Sequence, residues 1–393
     1  MSLDALRGFD MLWIVGGAAI VRAVAGMSDN AGTRFLVTQM THAKWEGVRF
    51  YDLIYPLFLF LVGISIVLSL DRMLARASRP TAVIRIVRRF LLLYAFNFVY
   101  NGGFLTRWPD IRVASGVLAM IAWSYLFAGM IYCFFGRRLK VVAAITVGLL
   151  LANWALLAWV PFPDFQLNDQ TIGALAEKAG SKEPAAISAI VTQRAHGTYE
   201  PGHNLSNYLD YRYLPGKLMA RYFENQGLLS PLTSVTLCLA GIFAARLLLN
   251  AEIAPRRKVT WLVVAGVAAA TIGWMWGMEL PVVKRLWTSS FCLVTAGYSA
   301  VLLATFFLIV DLWKFQRWCQ PLVWIGVNPI TIYLLYNVVD FPKLAERLVG
   351  GNVKEAFDGI ATGLGGLVSA SVSFALVLLL VRFLHQRRIF LRV

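Results

Sequence analysis

Stretches of about 20 consecutive apolar residues recur along the whole chain. A run of that length, wound as an α-helix, matches the hydrocarbon thickness of a bilayer. Lipid offers no partner to backbone N–H and C=O groups, so such runs must satisfy them internally as helices. Ten can be read, at about 9–26, 49–70, 88–102, 113–135, 141–160, 227–249, 259–278, 287–310, 320–339 and 362–382. They predict an all-α fold: a polytopic transmembrane helical bundle of about 10 spans, with residues 1–393 forming a single domain. Hydrophobic residues make up 59% of the chain and charged ones 15%, where a soluble protein carries about 25% charged.

The segments between these runs alternate in charge. DRMLARASRPTAVIRIVRR, GRRLK, RLLLNAEIAPRRK, DLWKFQRW and the terminal RFLHQRRIFLRV are basic, and the intervening ones are mixed. The positive-inside rule assigns the basic segments and both termini to the cytoplasm, as for a bacterial inner membrane protein. The net charge of +16 is thereby explained by topology and lipid headgroups, which argues against nucleic acid as a partner. Asp4, Arg7 and Asp10 make the first run too polar for a cleaved signal peptide, so it reads as a retained span. The long hydrophilic segment 161–226 falls on the outer side, as an extracytoplasmic subdomain within the bundle. Cys133, Cys238, Cys292 and Cys319 sit in or beside apolar runs without CxxC spacing and read as buried hydrophobes.

Polar side chains at membrane depth are the functional candidates, because lipid makes them costly. The densest cluster is HAKWEGVRFYDLIYP, where His42, Trp45, Glu46, Arg49 and Asp52 run directly into the second span. The topology puts it on the outer side. Pro56 removes the helical partner of the Asp52 carbonyl, which predicts a kink there. Pro329 does the same for Ile325, between Asn328 and Asn337. Asn97 and the group Lys284, Trp287, Ser289, Ser290 are further lining candidates, with interfacial anchoring as the plain alternative for Lys284 and Trp287. Arg7 and Asp10 share a helical face and predict an ion pair. Gly16-Gly17 suits close helix packing. His196, His203 and His385 lack metal-ligand spacing, and no HExxH or CxxC is present, so no metal is predicted. Absence of GxxxxGK[ST], GxSxG and GxGxxG argues against an ATPase, an α/β-hydrolase and a Rossmann domain.

In chain order, SLDALRGFDML, HAKWEG with DLIYPLFLFLVGIS, YEPGHNLSNYLDYRYLPG with ENQGLLS, KRLWTSSF and GVNPITIYLLYN resemble the heparan-α-glucosaminide N-acetyltransferase family. The resemblance covers almost the whole chain, without the lumenal N-terminal domain of animal members. It implies a membrane bundle, often a homodimer, that moves an acetyl group from acetyl-CoA to an amino sugar across the membrane. It identifies His42, in H-x-x-W-x-G, with the family's catalytic histidine. Three positions depart from the family pattern: Glu46 after Trp45, Gln226 in Glu224-Asn225-Gln226-Gly227, and VASGVLAMIAW after Arg112, which lacks a Gln-Arg pair.

Acyl transfer to an amine needs the amine deprotonated and an oxyanion stabilised. An imidazole titrates near neutrality and suits either general base catalysis or transient acetyl carriage. His42 is assigned that role, with Asp52 or Glu46 orienting it and Asn97, Asn328 or Asn337 as oxyanion donors. Trp45, Asn204, Asp210, Glu224, Lys284 and Trp287 complete the acceptor candidates. The anionic nucleotide of CoA calls for cations on the cytoplasmic side, from Arg7, Arg88, Arg89, Arg246, Arg256, Arg257 and Lys258, with Asp10 beside Arg7. Two rival readings stay open: an O-acyltransferase of envelope glycans, and a transporter for a small polar or lipid-linked substrate.

Overall fold

The computed structural model describes residues 1–105, 107, 110–112 and 116–389, apart from the side chain of Asn337. The protein is an all-α polytopic membrane protein. Among the described residues, eight helices are long and apolar enough to cross a bilayer: Ser2–Ala25, Phe50–Leu74, Val117–Phe135, Leu139–Trp159, Ser230–Leu249, Pro255–Trp276, Ser289–Leu312 and Leu364–Gln386. The fourth run, read from 113, is helical from Val117; Val113, Ala114 and Ser115 lie outside the described residues.

Two of the ten expected spans take another form. Arg79–Tyr100 is a single helix, but Arg79, Arg85, Arg88 and Arg89 crowd its first half with charge that a bilayer core rejects. The run 320–339 is two short helices, Gln320–Val327 and Pro329–Val339. Asn328 breaks them with φ −126° and ψ 48°. Proline disfavours the helical conformation in the residue before it, so the break falls there. Pro56 behaves differently: the Phe50–Leu74 helix runs through it undivided. The kink expected from Pro56 does not split the helix, whose next turns are locked into the core.

Phe50–Leu74 is the central helix, and its buried side chains run from Asp52 to Leu70. It packs on Ser230–Leu249 at backbone distance. A Cβ on Gly63 would strike the Cys238 carbonyl, and one on Gly241 the Phe60 carbonyl. Such close approach replaces hydrophobic driving force, which lipid does not supply between helices. The first span is interrupted by a π-helical turn at Trp13–Gly17, where Gly16 adopts φ 152° against the ring of Phe374.

Residues between the Leu139–Trp159 and Ser230–Leu249 helices carry an apolar cluster of their own: Phe165, Leu167, Ile172, Ile187, Tyr211 and Phe223. Strand Phe162–Pro163 pairs antiparallel with Arg194–Ala195. Asn168 and Asn204 cap the helices Asp169–Ala179 and Leu205–Tyr213 by accepting from Thr171 N and Asn207 N. This region meets the His42 segment where Trp45 Nε1 donates to the Tyr199 carbonyl at 2.7 Å. The four cysteines are buried free thiols.

Candidate active site

Asp52 occupies the third position of its helix, where an acidic side chain can accept from the helix's own unsatisfied N–H groups. Its Oδ2 accepts from Arg49 N at 3.1 Å and Ala43 N at 3.0 Å. The segment before the helix is thereby folded back over the carboxylate. Arg49 reinforces the fold, donating to Thr41 Oγ1 at 2.6 Å and to the His42 carbonyl at 3.0 Å. His42 is brought to the other oxygen, with Nδ1 2.8 Å from Asp52 Oδ1. The Asp52 side chain is fully buried, while that of His42 is 54% exposed. One imidazole edge is therefore fixed and the other faces open space.

A distant segment completes the cluster. Gly47 N donates to the Val282 carbonyl at 2.8 Å, and Glu46 and Val283 form a short antiparallel bridge. This registers the turn Lys284–Leu286 beside the His42 segment. Thr288 Oγ1 accepts from Val283 N at 3.1 Å and closes the turn. Lys284 Nζ then lies 3.1 Å from Asp52 Oδ1 and 3.1 Å from His42 Nδ1. Burial pulls the Lys284 ammonium below the ordinary lysine range, and the Asp52 carboxylate opposes that fall.

The three side chains open onto a cavity of about 430 Å³. Trp45, Tyr51, Glu224 and Arg285 stand at its polar end, and Tyr55, Phe58, Ile121 and Tyr333 line its apolar depth. A second cavity of about 220 Å³ holds Arg7, Ser65 and Arg89 among its walls. Phe58, Ile121, Pro329 and Ile330 line both, so the two meet back to back at the broken helix. Arg7 donates to Asp4 at 2.7 Å and to Ser65 at 2.7 Å. Arg89 stacks over Tyr125 at 4.4 Å, and its buried Nε has no hydrogen-bond partner.

Of the residues singled out from sequence, His42, Asp52, Trp45, Glu224, Lys284 and Trp287 converge on the larger cavity, and Arg7 and Arg89 on the smaller. The others lie elsewhere. Glu46 is exposed outside the cavity, contributing through its backbone. Asn97 is buried behind Gly116. Asn204 donates to the Glu200 carbonyl as part of its helix cap. Asp210 is buried beneath the turn that carries Glu224. Asn328 donates to the Ile389 carbonyl at 2.9 Å. The side chain of Asn337 lies outside the described residues. Arg88, Arg256 and Arg257 are exposed, Arg246 pairs with Asp71 at 3.3 Å, and Lys258 donates to the Leu248 carbonyl at 2.7 Å.

The Arg7–Asp10 pair read from sequence does not form. A helical side chain leans toward the N-terminus, so Arg7 reaches Asp4 instead. Asp10 is fully buried, with neither carboxylate oxygen hydrogen-bonded. Tyr51, Tyr55 and Arg285 are among the lining residues that escaped sequence reasoning. Tyr51 sets its ring 5.1 Å from that of His42. Tyr55 packs edge-on against Trp287 at 5.3 Å and donates to the Val117 carbonyl at 2.8 Å. Arg285 lies over Trp45 at 5.9 Å. The spacing Asp52–Tyr55 is one helical turn and could have pointed to Tyr55. Among the described residues no group of three His, Cys, Asp or Glu side chains could hold a metal ion.

Comparison with known proteins adds three matches. A family model described as a domain of unknown function (DUF5009) matches residues 1–180. The heparan-alpha-glucosaminide N-acetyltransferase of Mus musculus is 23% identical over 349 residues, covering 78% of this chain and 51% of the mouse protein. Its Homo sapiens counterpart is 21% identical over 392 residues, covering 90% of this chain and 55% of the human protein. The chain thus spans about half the length of the curated relatives it matches. The matches support a distant family relationship.

Proposed function

We propose that this protein is a membrane-embedded acyltransferase that moves an acetyl group from acetyl-CoA to an amino sugar on the opposite side of the bilayer. The observation that carries the reading is the His42–Asp52 pair at the mouth of a cavity whose inner wall is shared with a second cavity containing Arg7 and Arg89. The smaller cavity offers two guanidinium groups, one with an unpartnered buried nitrogen, to the pyrophosphate of the donor. The pantetheine arm is narrow and flexible and would pass the shared wall toward His42. The acceptor would enter at the polar end, against the Trp45 indole and the Glu224 carboxylate.

With Nδ1 committed to Asp52, Nε2 is the nitrogen left for the reaction. In direct transfer the amine nitrogen attacks the thioester carbonyl and His42 Nε2 takes its proton. The C–N bond forms, the C–S bond breaks, and the proton passes to the departing thiolate, giving CoA thiol and the acetamide. In the covalent variant Nε2 attacks first, and the amine then removes the acetyl group from the imidazole. The distant acetyltransferase relatives support the donor and the reaction class. A hydroxyl acceptor would use the same groups.

The test is CoA release from acetyl-CoA by the purified full chain, with glucosamine as acceptor, for wild type and His42→Ala. Release that needs both the acceptor and His42 is the expected result. Folded wild-type protein that releases no CoA with any amino sugar would instead favour the transporter reading. That second reading draws on the same pair of back-to-back cavities beside a broken helix, an arrangement that alternating access also uses.

A further inference from the structure

Lys284 lines the cavity beside His42 and Asp52. Its side chain is 16% exposed, and its ammonium closes a triangle with Asp52 Oδ1 and His42 Nδ1. The edges of that triangle fix the proton positions. At 2.8 Å, the Nδ1–Oδ1 edge requires a proton between the two atoms, since two lone pairs would repel at that distance. His42 therefore carries its proton on Nδ1 and donates it to Asp52. Lys284 has no acceptor, so it can only donate to the same oxygen. Its contact with Nδ1–H is then a contact of charge, not a hydrogen bond.

A carboxylate beside a histidine favours the imidazolium. That form could not take a proton from an acceptor amine. We propose that Lys284 is a positioning residue: it cancels the charge of Asp52, so that Asp52 orients the imidazole without holding it as a cation. With Lys284 charged and His42 neutral, the triad is neutral overall. Protonating His42 would leave a net positive charge in a half-buried site. The other groups facing His42 leave this balance in place. Arg49 binds its carbonyl, Tyr51 presents a ring, Arg285 lies over Trp45, and Glu224 lines the same cavity. Lys44 and Glu46 on its own segment are exposed, and Arg22 acts on Tyr51. Among the described residues only His42 and Lys284 form ion pairs with Asp52.

The inference rests on reading His42 as the base, and its test can be kept separate from that reading. The full chain has four histidines, so 13C-labelled imidazoles give a spectrum in which His42 is assigned by its loss in His42→Gln. Titration in detergent, without any substrate, should show the His42 midpoint raised by about one pH unit or more in Lys284→Met. Lys284→Arg keeps the charge and should leave the midpoint near that of wild type. Lys284→Gln replaces Lys284→Met if the methionine variant does not fold. The acid limb of kcat/KM for acetyl transfer should move by the same amount. Equal midpoints in wild type and both uncharged variants would overturn the proposal. A shifted midpoint in a protein that turns over no thioester would sustain the charge cancellation and remove the acyltransferase reading.

Discussion

Asp52 accepts four hydrogen bonds, two on each oxygen: backbone N–H groups of Ala43 and Arg49 on one, His42 and Lys284 on the other. One carboxylate thus caps a helix, folds a loop and orients an imidazole. No uncharged isostere can do all three. In Asp52→Asn the amide either turns its NH2 toward two backbone donors or turns it toward His42 and Lys284. The first arrangement loosens the loop, and the second imposes the wrong tautomer and leaves Lys284 without a counter-charge. The expected outcome is a fall in kcat of roughly a hundredfold to ten-thousandfold, read from steady-state CoA release. A variant within a few-fold of wild type would remove Asp52 from the chemistry.

Helices carry the site only through the turns that join them, and the Leu205–Tyr213 helix shows how. Its Asp210 accepts from Glu224 N at 3.2 Å and Leu228 N at 2.9 Å, and so holds the turn that presents Glu224 to the cavity. Burial pushes the Asp210 carboxyl up to about 7, and Glu224 adds to the rise against the two backbone donors. The unfolded chain releases this proton near 3.8. Between those values the folded chain binds more protons, so stability falls as pH rises from about 4 to 7. Asp210→Asn has no charge to bury and should flatten that slope, measured as thermal unfolding in detergent at pH 5 and pH 8. An unchanged slope would assign the pH dependence to other groups. What the sequence made legible follows the same division. Apolar runs are local patterns, and they located the helices that cross the bilayer. The His42–Asp52 pairing was also within reach, because ten residues and a helix start separate them. Lys284 meets Asp52 across 232 positions, and no local pattern encodes such a contact. Asn97 and Asn328 looked equally suited to line a cavity, yet Asn97 packs against Gly116 and Asn328 donates to the Ile389 carbonyl, contacts that only packing reveals.

At the scale of the whole bundle the decisive feature is that the two cavities share a wall. Arg7 and Arg89 lie on one side of Phe58, Ile121, Pro329 and Ile330, and His42 lies on the other. Proline at 329 disfavours helical geometry at Asn328, so the wall is built where a helix ends and another begins. If the donor arm passes here, widening a wall side chain obstructs the arm. Phe58→Trp and Ile121→Trp should therefore lower kcat/KM for acetyl-CoA by about tenfold or more, a change of about 1.4 kcal/mol in the barrier. A short donor such as S-acetyl-N-acetylcysteamine can reach His42 from the open end of the larger cavity. Its turnover should stay near wild type in the same variants. The ratio of the two rates separates obstruction from damage, because a disturbed His42 site would slow both donors alike. Acetyl-CoA turnover that stays near wild type in both variants would mean that the thioester reaches His42 by another route, and Arg7 and Arg89 would then have no part in binding it.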